Sequence, residues 1–211
     1  MHRYLTELVG TFLFVFSIAL AVVHAGPFAP LAIGAALMVV VYMGGHISGG
    51  HYNPAVTLAV YLRGKLAAGD VAPYMIAQLL GAALASLAAM VVTDSALLAA
   101  PAADASTTAA LLVETIFTFA LCIVVLNVAT DDAVSGNSFY GLAIGFTIVV
   151  AAFAGGAVSG GAFNPAVGLG PAIAAMGSKS IGHVWIYAVG PLLGGALASV
   201  VYGLQHPDAE A

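Results

Sequence analysis

A fifteen-residue segment occurs twice in this chain, and both copies lie inside otherwise apolar sequence. Gly44 to Leu58 reads Gly-Gly-His-Ile-Ser-Gly-Gly-His-Tyr-Asn-Pro-Ala-Val-Thr-Leu, and Gly155 to Leu169 reads Gly-Gly-Ala-Val-Ser-Gly-Gly-Ala-Phe-Asn-Pro-Ala-Val-Gly-Leu. A weaker echo joins Glu7 to Phe16 with Glu114 to Ile123 at an offset of 107, close to the 111 that separates the two asparagines. The chain is therefore two similar halves. A membrane-spanning helix takes about 20 apolar residues. The first half offers such stretches near 5–24, 28–45 and 72–92, the second near 109–129, 138–155 and 182–204. Three spans per half turn the second half upside down. Inverted repeats of this kind place a pathway near the bilayer midplane, often on discontinuous helices.

Composition narrows the function classes. Of 211 residues 62% are hydrophobic and 6% charged, whereas a soluble domain carries roughly 25% charge, so the apolar mass faces lipid. Four Lys and Arg against nine Asp and Glu leave a net charge of −5. No basic surface remains to neutralise nucleic-acid phosphates. A lone cysteine, Cys122, excludes an internal disulfide. Arg3, Arg63 and Lys65 oppose Lys179 across the bilayer, which predicts both termini in the cytoplasm. Glu7 and the length of the first run argue against a cleaved signal peptide. The short connections leave no room for a soluble domain, so 1–211 is expected to be one membrane domain: repeat 1 over about 1–95, repeat 2 over about 106–205, and a disordered tail over 206–211.

Each Gly-rich loop runs into Asn-Pro followed by a short apolar segment, 53–62 and 164–173. Asn is a favoured N-cap, and Pro suits the first helical position because its missing N–H would be unpaired there. Ten residues rise about 15 Å, half the hydrocarbon core, so neither segment spans alone. Two half-helices from opposite sides complete one span. Irregular backbone at membrane depth is tolerated where it lines water or is buried in protein. The carbonyls of Gly49, Gly50, His51 and Tyr52, and of Gly160 to Phe163, including Ala162, are thus expected to form an acceptor ladder along a pore. Where the N-termini meet, two helix dipoles and the Asn53 and Asn164 amides would favour neutral hydroxylated solutes and repel cations.

The segments His46 to Thr57 and Gly160 to Ala166, with the two Glu-x-x-x-Thr-Phe repeats, resemble the aquaporin and glycerol-facilitator family over nearly the full chain. The resemblance implies an all-α membrane protein of six transmembrane helices plus two re-entrant half-helices in an inverted 3+3 repeat. It also implies a homotetramer with a pore in each subunit and no cofactor. By motif position, Asn53, Pro54 and Ala55 match one family signature and Asn164, Pro165 and Ala166 the other. Glu7 and Glu114 would accept hydrogen bonds from the re-entrant loops and hold them rigid.

One departure from the family pattern stands out. Val167 occupies the place where most members carry an arginine, and the other constriction positions fall on Ile33, Ala152 and Gly161. None of the four has a polar side chain. Compared with water-selective members this implies a wider, drier opening, and Val167-Gly168 in place of Arg-Asp does not support glycerol specificity. Candidate solutes for such a filter are urea, ammonia and neutral metalloid acids, methylated arsenicals included. The readings against which a passive channel stands are a proton-coupled transporter using Glu7 or Glu114 and a sealed, non-conducting family member. No nucleophile, metal-ligand or paired-carboxylate constellation points to an enzyme. The short loops point to a bacterial inner membrane.

Overall fold

A computed structural model describes residues 1–96, 98–175 and 182–207. Among them the chain forms α1 (His2–His24), α2 (Ala29–Ser48), α3 (Pro54–Leu62), α4 (Ala68–Thr93), α5 (Thr107–Ala129), α6 (Tyr140–Ser159), α7 (Pro165–Ala174) and α8 (Ile186–Gln205). All except α3 and α7 are long and apolar enough to cross a membrane. The helices overrun the apolar stretches read from sequence, α4 beginning at Ala68 with Asp70 in its first turn. An acidic group there complements the helix dipole outside the hydrocarbon. The last helix starts later than the sequence indicates, because Gly182 to Trp185 form turns. Lys179 and residues 208–211 lie outside the described residues.

Within each half the first helix packs on the third, α1 on α4 and α5 on α8, and the halves meet where α2 packs on α6. Lipid offers helices no hydrophobic drive to associate, so close contact depends on small residues. Gly34 and Gly145 face each other across α2 and α6: a Cβ on either would stand 2.5 Å from the other's carbonyl oxygen. Gly81 meets the backbone of Leu8, and Gly194 meets that of Thr115 at the equivalent place in the second half. Large apolar side chains such as Val39, Leu84, Leu112, Phe146 and Leu197 remain exposed, as lipid contact requires.

The half-helices exchange partners. Helix α3 of the first half lies against α8, and α7 of the second half lies against α4. Gly195 makes room for the Ala55 carbonyl, at 2.5 Å from where its own Cβ would be, and Gly170 makes room for Ala82.

The start of α1 and the end of α8 reach one face, hereafter the terminal face, where three ion pairs lie. Arg3 pairs with Asp70 at 3.3 Å and Lys65 with Asp132 at 3.4 Å. Read from sequence as two solvated acids, Asp131 and Asp132 in fact differ: the side chain of Asp132 is 91% exposed, that of Asp131 only 14%. Asp131 accepts hydrogen bonds from the Ala133 N–H and the Tyr202 hydroxyl, which hold its carboxyl below the usual carboxylate range. His206 lies 3.0 Å from the same carboxylate and stacks on the Tyr202 ring. The first residue of the expected tail is thus packed on the end of α8.

Candidate functional site

The two Gly-rich loops have the same backbone. Gly49 and Gly50 take φ of 93° and 62°, Gly160 and Gly161 take 90° and 69°, and the aromatic residue before each asparagine is also left-handed, Tyr52 at 47° and Phe163 at 49°. Positive φ is rare for a bulky residue and costs of order 1–3 kcal/mol unless the surroundings hold it. Here a buried carboxylate does so. Glu7 accepts from the N–H of His51 at 3.0 Å and of Tyr52 at 2.7 Å, and from the Ser48 hydroxyl at 2.7 Å. Glu114 accepts from the N–H of Ala162 at 3.0 Å and of Phe163 at 2.6 Å, and from the Ser159 hydroxyl at 2.7 Å. With every oxygen engaged by neutral donors, neither carboxylate faces the lumen.

Sequence reasoning missed a second tier of supports. The Tyr74 hydroxyl donates to the Ser48 carbonyl at 2.7 Å, and the Tyr187 hydroxyl donates to that of Ser159 at 2.6 Å. Both side chains are fully buried, although as tyrosines on apolar helices they read as interfacial anchors or packing aromatics. Their similar offsets from the two repeat serines, 26 and 28 residues, were the available signal. Gln78 adds a fourth donor to Glu7, at 2.8 Å.

The asparagines join the halves. Asn53 caps α3, its Oδ1 accepting from the Ala55 N–H at 2.9 Å, while its Nδ2 donates to the Phe163 carbonyl at 3.0 Å. Asn164 does the same for α7, accepting from Ala166 at 2.8 Å and donating to the Tyr52 carbonyl at 2.9 Å. One N–H of each amide is therefore spent on the opposite loop. The second is left for the lumen, whose wall both asparagines join. Pro54 and Pro165 begin the helices, and Ala55 and Ala166 are buried against the core.

Of the remaining positions read as a carbonyl ladder, Gly49, Gly50, His51, Ala162 and Phe163 line this lumen. Gly160 lines the cavity at the opposite face. Tyr52 lies behind the wall, its hydroxyl donating to the Val40 carbonyl. Ile33, Ala152, Gly161 and Val167 come together on that same outer cavity, and the first three also border the lumen. Leu98 and Ala100, from the connection between the halves, complete the mouth. The passage is wide, then narrow, then wide: a vestibule of about 460 Å³ on the terminal face, a lumen of about 40 Å³, and an outer cavity of about 300 Å³. Among the described residues no cluster of three or more potential metal ligands exists. Ser48 and Ser159, the serines that precede the two Gly-rich loops, are tied to carboxylates as structural donors. Such a site orients and passes a molecule.

A narrow lumen between two crossed asparagines, on half-helices seated in an inverted repeat, defines a membrane channel. The chain belongs to the major intrinsic protein family, whose model matches residues 1–202. It is 38% identical over 209 residues to a glycerol uptake facilitator protein-like 6 from Lactiplantibacillus plantarum, covering 94% of this chain and 95% of that protein. It is 36% identical over 214 residues to nodulin-26 of Glycine max, covering 97% and 78% respectively. The fold matches the X-ray structure of the aquaglyceroporin from Plasmodium falciparum with a TM-score of 0.87 at 24% identity, over 99% of this chain and 98% of that one. The protein is an integral, multi-pass membrane channel for water or small solutes, and it is not an enzyme.

Proposed function

We propose that this channel passes small uncharged solutes through a dry outer constriction, with urea, ammonia and neutral metalloid acids, including methylated arsenicals, as its candidate cargo. The observation that carries the reading is the quartet Ile33, Ala152, Gly161 and Val167, which borders one cavity without a polar side chain. Where an arginine would supply five donors and a fixed charge, a solute meets methyl groups and backbone. Apolar walls penalise a strongly hydrated molecule and favour one that leaves water readily. The name of the Lactiplantibacillus relative points to glycerol, but Val167 and Gly168 give a polyol no cation and no carboxylate to hold.

The assembly is a homotetramer with a pore in each subunit. It lies in a bacterial inner membrane with the terminal face in the cytoplasm, as the collection of Arg3, Arg63 and Lys65 there supports. Glu7 and Glu114 act as loop supports, a role favoured over proton relay by their saturation with backbone and hydroxyl donors.

Stopped-flow light scattering on proteoliposomes tests the reading, with an impermeant osmolyte and then urea, glycerol or a neutral arsenic acid. Wild type is expected to take up urea or the arsenic acid fast, and Val167→Arg to lose that uptake by about tenfold or more, the worth of one charged group in a narrow site, while still passing water. Permeabilities equal to empty liposomes for water and every solute would overturn it in favour of a sealed pore.

A further inference from the structure

The two halves match at the carboxylates, the serines, the tyrosines and the asparagines, and among the buried positions where they part company three side chains touch one another. Aligned on Asn53 and Asn164, His51 stands opposite Ala162 and Thr57 opposite Gly168. Aligned on Tyr74 and Tyr187, which make the same bond, Gln78 stands opposite Pro191. In the first half these three side chains form one chain of hydrogen bonds leading out from Glu7.

The proton bookkeeping of that chain favours one arrangement, in which Gln78 Oε1 stays buried without a hydrogen-bond partner among the described residues. Gln78 Nε2 lies 2.8 Å from Glu7 Oε2 and 2.9 Å from Thr57 Oγ1. Turning the amide over would set its oxygen against a carboxylate, so the NH2 group gives one hydrogen to each. Thr57 Oγ1 lies 3.1 Å from the Asn53 carbonyl and 3.1 Å from His51 Nδ1. A hydroxyl has one hydrogen and two lone pairs. Its hydrogen must go to the carbonyl, or two lone-pair oxygens would face each other there. The remaining lone pair then accepts from His51, so Nδ1 carries the ring's hydrogen.

The other edge of the ring is the consequence. Among the described residues no protein group bonds His51 Nε2, although the residue is only 7% exposed. Nε2 lies against Gly49, where a Cβ would come within 2.9 Å of it, and both residues border the lumen and the vestibule on the terminal face.

We propose that Glu7, Gln78 and Thr57 fix His51 as the Nδ1–H tautomer, so that its Nε2 lone pair and the free N–H of Asn53 and Asn164 form a one-sided subsite for neutral amide-type solutes. Such a solute offers a carbonyl oxygen to the asparagines and an N–H to Nε2. At the place of the imidazole the second half has the methyl of Ala162, so the subsite lies on the terminal side of the midplane. This rests on the channel reading above. Thr57 is a positioning residue: it is fully buried behind His51 and borders neither lumen nor vestibule.

The test uses the full-length protein in liposomes, labelled with 15N at histidine, with the His51 signals identified by their loss in His51→Gln. Wild type and Thr57→Ser are expected to show a protonated Nδ1 and a bare Nε2, and Thr57→Val to shift toward the other tautomer. In stopped flow, Thr57→Val should lower the ratio of urea to water permeability by about three- to tenfold, the worth of one hydrogen bond, with Thr57→Ser restoring it. A protonated Nε2 in wild type would overturn the proposal even if Thr57→Val failed to insert. So would an unchanged urea to water ratio in a conducting Thr57→Val. A wild type that passes neither water nor urea would instead overturn the channel reading, and the subsite with it.

Discussion

The midplane and the outer constriction share one segment, Gly160 to Val167, yet they are built on opposite rules. At the midplane the loops are held by hydrogen bonds to buried side chains, down to the left-handed Phe163 held by Glu114. A few residues away, Gly161 and Val167 face a cavity bordered, among the described residues, by no polar side chain. The first region is rigid because leaving any of its donors unpaired in a low-dielectric setting is costly. The second is permissive because its side chains hold nothing. Solute choice can therefore vary at the constriction without disturbing the fold, whereas changes at the midplane act on the fold first.

That contrast can be broken most severely at the carboxylates. Glu7→Ala orphans four donors and Glu114→Ala three. At about 1–3 kcal/mol for each buried unpaired group, both variants should unfold in detergent far below wild type, Glu7→Ala the lower of the two. Equal, near-wild-type melting would mean that the loops hold themselves. At the constriction the expectation reverses. Ile33→Ala should raise uptake of the bulkier neutral solutes by about tenfold, or roughly 1.4 kcal/mol, with little change in melting, and a large loss of stability would erase the distinction between the two regions.

Smaller effects sharpen the comparison. Tyr74→Phe and Tyr187→Phe each remove one hydrogen bond to a repeat serine, so each should cost about 1 kcal/mol, and similar values would show that the two loops are braced alike. Smallest is the pH dependence through Asp131. Its carboxyl is held low in the folded protein, so its contribution is present above the unfolded carboxylate pKa of about 3.9 and is lost as pH falls through the lower, folded value. Melting temperature should be unaffected by this group from pH 8 to 5. Below pH 4 it should fall further for wild type than for Asp131→Asn.

The spans, the half-helices and the carboxylate positions were legible because each leaves a local mark: apolar length, Asn-Pro at a helix start, a lone acid in a hydrophobic run. What escaped depends on residues far apart in sequence. The carbonyls of Tyr52 and Phe163 each accept from the asparagine of the other loop, more than a hundred residues away, a pairing that no local pattern shows. Tyr74 and Tyr187 looked like anchors because nothing local tells a tyrosine at a lipid interface from one reaching a buried carbonyl. Asp131 looked solvated because its partners, Tyr202 and His206, lie at the far end of the chain.

The exchanged seating of the half-helices bears on how the chain is made. Helix α3 leaves the ribosome early, but the surface it rests on, α8, is the last helix to be synthesised. Until Gly195 emerges to receive the Ala55 carbonyl, the first re-entrant segment has only its lesser seats, on α4 and α5. A chain halted before α8 would hold its first loop on Glu7 and Tyr74 while the principal seat of α3 stayed empty.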